Sequence, residues 1–152
     1  MTVYRICKAK YPANDGEGAR RAGGRWNHKG TAMLYCGATA SLCALEVLAH
    51  SAILPTDMIV VQARIPNNLS IQMVEESDLP PNWSSPIPSK KTQDLGTDWT
   101  KSGATAVLSV PSVIVPSERN YLLNPAHPDF ARIRFFPPRP FTFDRRLKRA
   151  VS

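Results

Sequence analysis

Along residues 4–8 (YRICK) apolar and polar side chains alternate, which predicts an opening β-strand with one buried face. Residues 32–37 (AMLYCG) form a short apolar run closed by glycine and predict a second, buried strand. The period then changes. In TASLCALEVLAHSAI, Leu42, Leu45, Leu48 and Ala49 recur at helical spacing, Thr39 or Ser41 can cap the N-terminus, and the helix should end before Pro55. β-Branched residues dominate residues 57–66 (DMIVVQARIP), a third strand stopped by proline. Residues 67–103 are polar and proline-broken, with one short helix predicted at 93–101. β character returns at residues 105–116 (TAVLSVPSVIVP), a turn-rich loop follows, and residues 130–136 (FARIRFF) alternate as a closing strand. Several strands around one well-marked helix predict a single α+β domain.

Composition agrees with a folded chain: 152 residues is the size of one domain, 43% are hydrophobic and 20% charged. No run approaches the ~20 apolar residues of a membrane span, and the N-terminus lacks the apolar core of a signal peptide, so a cytoplasmic location is expected. Cys7, Cys36 and Cys43 are odd in number and show no C-x-x-C spacing, which predicts reduced, mostly buried thiols. His28 and His127 fall in loops without Cys or His at ligand spacing, and no metal site is expected.

The net charge of +7 is unevenly spread. From Ile133 onward Arg134, Arg139, Arg145, Arg146, Lys148 and Arg149 face Asp144 alone, leaving 13 basic and 11 acidic residues in the rest of the chain. The expectation is a near-neutral body, residues 1–136, and a basic, proline-containing C-terminal segment, residues 137–152, that belongs to the same domain or forms a solvated tail. A strip that docks an acidic partner or nucleic acid is the less economical reading of that segment.

Three stretches carry candidate chemistry. GGRWNHKG (residues 23–30) sets Arg25, a fork of donors suited to phosphate, beside the apolar plane of Trp26 between turn-forming glycines; equally, Arg25 can pair with a carboxylate while Trp26 packs in the core. GARRAGG matches neither the P-loop nor the dinucleotide fingerprint. Glu46 lies mid-helix among Leu42, Cys43, Ala49 and His50, with Arg25 a candidate partner and His50 a packing or capping residue. Residues 110–130 place Ser112 at the lip of an apolar strand and Asn120 and Asn124 around YLL, without a nucleophile elbow at any serine.

Taken in order, GGRWNHKG, LYCG followed by SLCALEVLAH, and LSVPSVIVPSERNYLLNPAHPDF resemble the RES domain, the toxin half of RES–Xre toxin–antitoxin pairs, over residues 4–136. The resemblance implies a fold similar to ADP-ribosyltransferases, with twisted mixed or antiparallel sheets and a few helices. It also implies an activity that consumes NAD as substrate, by glycohydrolysis or phosphorolysis, or by ADP-ribose transfer to a protein. Carried over by position, the catalytic residues are Arg25, Glu46 and Ser112, and the NAD-contacting residues are Arg25, Tyr35, Trp26 and Asn120. Ser117 repeats the Pro-Ser dipeptide, and the VPS context selects Ser112. The implied roles are Glu46 steadying the positive ribose, Arg25 on the pyrophosphate or a ribose oxygen, Tyr35 stacked on nicotinamide, and Ser112 bonded to ribose or carboxamide. An Xre-like antitoxin is the implied partner, with DNA reached only through that complex, no membrane, and a homodimer left open. A nucleic-acid module stacking bases on Trp26, Trp83 or Trp99 is the contrasting class.

Overall fold

The computed structural model describes residues 1–148; Arg149, counted in the basic segment, lies outside them. The chain orders as β1 (Thr2–Lys8), α1 (Glu17–Ala22), β2 (Leu34–Gly37), α2 (Ala40–Ala49), β3 (Met58–Arg64), β4 (Ile71–Met73), α3 (Lys90–Ser102), β5 (Val107–Pro111), β6 (Arg119–Leu123), β7 (Arg134–Phe135) and β8 (Arg139–Phe141). All eight strands join one sheet in the order β4-β5-β6-β2-β1-β3-β7, with β8 also paired to β3. Every pairing is antiparallel except β4 with β5.

The ladders are unequal, and this positions the cleft. β1 pairs with β3 from Thr2 opposite Arg64 to Lys8 opposite Met58, and β2 pairs with β6 along its whole length. β1 and β2, in contrast, meet in register only at Tyr4 opposite Gly37. The sheet therefore splits into two halves that diverge from one joint. Helix α2 sits over the joint: the Cys43 thiol donates to the Tyr4 carbonyl at 3.0 Å, and a Cβ on Gly37 would lie 2.9 Å from Cys43 Sγ. Only glycine lets the helix seat this closely.

The buried side chains gather in three clusters. Ile6, Cys43, Met58 and Phe143 pack beneath α2. Val3, Leu34, Ala63, Val107 and Leu123 belong to a second cluster. Trp26, Trp83 and Trp99 join Leu108, Val110 and Leu122 in a third. Helix α3 is capped by Ser89, whose Oγ accepts from the Thr92 N–H, and is closed by Gly103 at φ 64°. A Cβ on Gly96 would fall 1.8 Å from the Trp26 carbonyl oxygen, so α3 rests directly on the backbone of the Gly-Gly-Arg-Trp loop.

Several expectations are corrected. Residues 130–136 are not one strand: His127 caps a 3-10 turn over Pro128–Arg132, and only Arg134–Phe135 is extended before Pro137 and Pro138 end it. Pro111 ends β5 early, and the YLL region, expected as loop, belongs to β6, an interior strand of the sheet. The six-residue α1 and the short strands β4 and β8 carried no periodic signal long enough to read. The C-terminal segment does not stand off as a solvated tail over residues 139–148: β8 pairs with β3, Phe143 is buried, and Lys148 Nζ donates to the Leu48 carbonyl. The three tryptophans are buried, which removes the base-stacking surface of the nucleic-acid reading.

Candidate functional site

Where β1 and β2 part, a cleft of about 540 Å³ opens, within the ~300–1,000 Å³ of small-molecule sites. Its walls include Arg5 and Cys7 from β1, Tyr35 from β2, Glu46 from α2 and His50 at its C-cap, Arg25 and Trp26 from the glycine loop, and Asn120 from β6.

Glu46 is half-buried, and both of its hydrogen bonds converge on one oxygen: Oε1 accepts from Ser112 Oγ at 2.8 Å and from Asn120 Nδ2 at 2.8 Å. Among the described residues Oε2 has no partner. Ser112 is fully buried and does not line the cleft. Its hydroxyl is spent, donating to Glu46 and accepting from the Ile114 and Val115 N–H groups at 3.1 Å each. The expected direct contact of Ser112 with ribose or carboxamide is thus closed to it; the residue holds the carboxylate and the β5–β6 turn together. Ser117 is exposed and has no bond to Glu46.

Arg25 is half-buried, and its Nη1 donates to the Trp83 carbonyl at 2.6 Å. Among the described residues it forms no ion pair with Glu46, contrary to the direct pairing considered from sequence. Burial holds its pKa below the usual arginine value, opposed by the nearby charge of Glu46 and by Tyr35. The two groups share one cleft without neutralising each other.

Tyr35 donates its hydroxyl hydrogen to Asn27 Oδ1 at 2.5 Å and accepts from the Trp26 N–H at 3.1 Å. Burial raises its pKa, so the group remains a phenol. A Cβ on Gly24 would lie 2.7 Å from the Tyr35 hydroxyl, which explains why glycine precedes Arg25. Trp26 borders the cleft, but only 3% of it is exposed and its ring lies tilted against Trp83, so it offers no open plane to a ligand.

Two residues escaped the sequence reading. Asn27 is fully buried and donates to the Ala19, His28 and Thr31 carbonyls, tying α1 and the loop to Tyr35; its one signal was a polar residue inside a glycine-flanked, aromatic stretch. Arg5 lines the cleft from the expected first strand, where alternation alone gave it no distinction from any solvated residue. His50 caps α2, its Nδ1 2.8 Å from the Glu46 carbonyl, as expected. Cys36 and Cys43 are buried free thiols whose pKa burial pushes up to about 12 and about 11. His28 contacts Asp94, and His127 accepts from the Asp129 N–H.

An eight-stranded mixed sheet with few helices, opening on a cleft lined by arginine, phenol and carboxylate side chains, makes this an α+β domain with a candidate small-molecule site. The RES domain model matches residues 2–144, and the chain belongs to that family. It is 39% identical over 155 residues to "Toxin Res" of Yersinia enterocolitica, covering 97% of this chain and 100% of the relative. It is 37% identical over 145 residues to the "Prs ADP-ribosylating toxin" of a Sphingobium species, covering 91% and 90%. A chain of the M. tuberculosis MbcT-MbcA toxin–antitoxin complex superposes with TM-score 0.64 at 18% identity, covering 93% of this chain and 84% of that one, and shares the fold. No helix among the described residues is long and apolar enough to cross a membrane, and none of their His, Cys, Asp and Glu side chains cluster as a metal site.

Proposed function

We propose that this chain is the toxin of a toxin–antitoxin pair and that it consumes NAD by breaking the nicotinamide–ribose bond. The observation that carries the reading is the anchoring of Glu46 by Ser112 and Asn120 on a single oxygen, in the cleft that also holds Arg25. The names of the relatives support it, two of them being a Toxin Res and an ADP-ribosylating toxin.

As the C1′–N bond breaks, its electron pair passes to the pyridinium nitrogen, and nicotinamide leaves neutral without needing an acid. Positive charge is left on the ribose. Glu46, already fixed through Oε1, offers Oε2 to that charge at no cost in reorganisation. Arg25 binds pyrophosphate oxygens, charge-assisted and in a partly desolvated setting. Tyr35 braces the loop that carries Arg25 and presents its ring to the nicotinamide. Asn120 and Ser112 act through Glu46 as positioning residues. A nucleophile then adds to C1′ and loses its proton: water gives free ADP-ribose, phosphate gives its 1-phosphate, and a side chain gives a modified protein.

Incubating the purified chain with NAD, with and without phosphate, and identifying the products tests the reading; intact NAD after prolonged incubation refutes it. Transfer to a protein is the second reading, favoured by the Sphingobium relative, and predicts label from NAD on a macromolecule. The partner is an antitoxin, of the Xre-like type, seated over the cleft in the cytoplasm, where NAD is available. Undiminished NAD loss in the mixed, purified pair would overturn that part.

A further inference from the structure

We propose that Gln93, on helix α3, is a positioning residue for NAD binding: its side-chain amide sets where Arg25 presents its guanidinium to the diphosphate. The proposal rests on the NAD reading above and takes the role of Arg25 from it. Gln93 itself lies outside every motif that led there.

Arg25 stands on a turn, outside the strands and helices. The Gly24 N–H donates to the Asn27 carbonyl at 3.0 Å, and Gly23 just before it sits at φ 70°. Backbone led in by two glycines is free to rotate, so the direction in which Arg25 leaves it must be fixed from outside. Helix α3 does this. Gln93 Nε2 donates at 3.1 Å to the Gly24 carbonyl, the oxygen of the peptide that joins Gly24 to Arg25. One turn further along, Thr97 Oγ1 accepts from the His28 N–H at 3.0 Å, and between the two Asp94 Oδ1 lies 2.6 Å from His28 Nε2. Gln93, Asp94 and Thr97 share one face of the helix, so a single rigid element grips the turn on both sides of Arg25 and Trp26. The far end of the arginine is tied to the same unit, Nη1 donating at 2.6 Å to the carbonyl of Trp83 in the segment that leads into α3.

Among these attachments, the Gln93 bond is the one made to the backbone of Arg25. The seat of the helix depends on other contacts: Gly96 lies against the Trp26 carbonyl, and Trp26, Trp83 and Trp99 share a buried cluster. Gln93 is half-buried and contributes one neutral hydrogen bond, so α3 stays docked without it. What is lost is angular control of the next residue. A guanidinium at the end of a long side chain turns a small rotation of its own peptide into a large displacement, and a planar fork meets diphosphate oxygens only in the right orientation.

The test is nicotinamide release across NAD concentrations for the wild-type chain, Gln93→Ala and Gln93→Glu, with a thermal melt of each, and for Gln93→Ala in an Arg25→Met background. KM should rise on the order of 10-fold in Gln93→Ala, the lower end of what a lost bond to a charged group represents. Meanwhile kcat should stay within about three-fold, because the diphosphate is held alike in the ground and transition states. Gln93→Glu keeps the shape but puts a carboxylate oxygen where the donor was, and should lose as much. Both variants should melt no more than about 4 °C below wild type. In the Arg25→Met background the same Gln93→Ala change should alter kcat/KM by less than about two-fold, since the group it positions is gone. An unchanged KM in Gln93→Ala overturns the proposal, as does a loss confined to kcat. Wild-type KM in Gln93→Glu overturns it by showing that the donor is not needed. An undiminished effect in the Arg25→Met background, or a Gln93→Ala chain that melts more than about 10 °C lower, assigns the residue to the scaffold and counts the same way. A wild-type chain that leaves NAD intact refutes the NAD reading itself, a distinct outcome.

Discussion

Glu46→Gln separates charge from shape at the centre of the site. In the native chain Ser112 and Asn120 both donate to Oε1, so a glutamine can turn its carbonyl to the same two donors and its amide toward the cleft. Packing and hydrogen-bond count are preserved, and what disappears is the negative charge on the free oxygen. The two bonds become neutral, at a cost of about 1 kcal/mol each, offset in part because a half-buried carboxylate no longer needs to be desolvated. The melting temperature should move by only a few degrees, at about 2–4 °C per kcal/mol for a chain of this size. The rate should fall far more: a preorganised group facing developing charge is worth about 10²–10³ in kcat, or roughly 2.7–4 kcal/mol. Because Oε2 acts on charge that arises only in the transition state, KM for NAD should barely change. Nicotinamide release measured across NAD concentrations, beside a thermal melt, gives both quantities. A folded Glu46→Gln protein turning over NAD within about three-fold of wild type would show that the carboxylate charge has no role in the transition state.

Ser112→Ala removes the acceptor for the Ile114 and Val115 N–H groups, and denaturant unfolding should register a loss of about 1–3 kcal/mol. NAD turnover in the same variant should drop less than in Glu46→Gln, because Asn120 still holds the carboxylate; a larger drop would assign Ser112 a role beyond positioning. Gly96→Ala puts a Cβ 1.8 Å from the Trp26 carbonyl oxygen, an overlap that forces α3 off the loop at a cost of ~3 kcal/mol or more, so wild-type stability in this variant would contradict the docking of α3. Burial raises Cys36 from 9.0 to about 12 and Cys43 from 9.0 to about 11. Unfolded thiols ionise near 9, so the stability tied to the protonated thiols is complete below that pH and is lost as pH climbs toward 11–12. Denaturant midpoints should fall between pH 8 and pH 10.5, and the decline should be shallower in Cys36→Ala.

Elements with long, regular patterns were legible in the sequence. β1, β2 and β3 stand where alternation and β-branched runs put them, and α2 is capped by Thr39, one of the two expected caps. Its face was less legible. Leu45 and Ala49 are exposed while Leu42 and Cys43 are buried, because ASLCALEVLA is apolar almost all round and periodicity cannot choose a side. Helix α3 runs from Lys90 to Ser102, longer than expected, since its buried residues include Thr92, Gly96 and Thr97, small residues that a hydrophobicity pattern passes over. Arg25, Tyr35, Glu46 and Asn120 do line one cleft, and Ser112 touches it through Glu46. Arg5 and Asn27 remained hidden for a physical reason: what distinguishes them is spatial, a place in the cleft wall for one and bonds to three backbone carbonyls for the other.

The seating of Cys43 against Tyr4 and Gly37 makes the mouth of the cleft and the reach of Glu46 a single mechanical variable. The helix that wedges the two half-sheets also bears the carboxylate, one turn further along. A graded change at this joint would therefore tune the proposed NAD cleavage while leaving every side chain that lines the cleft in place.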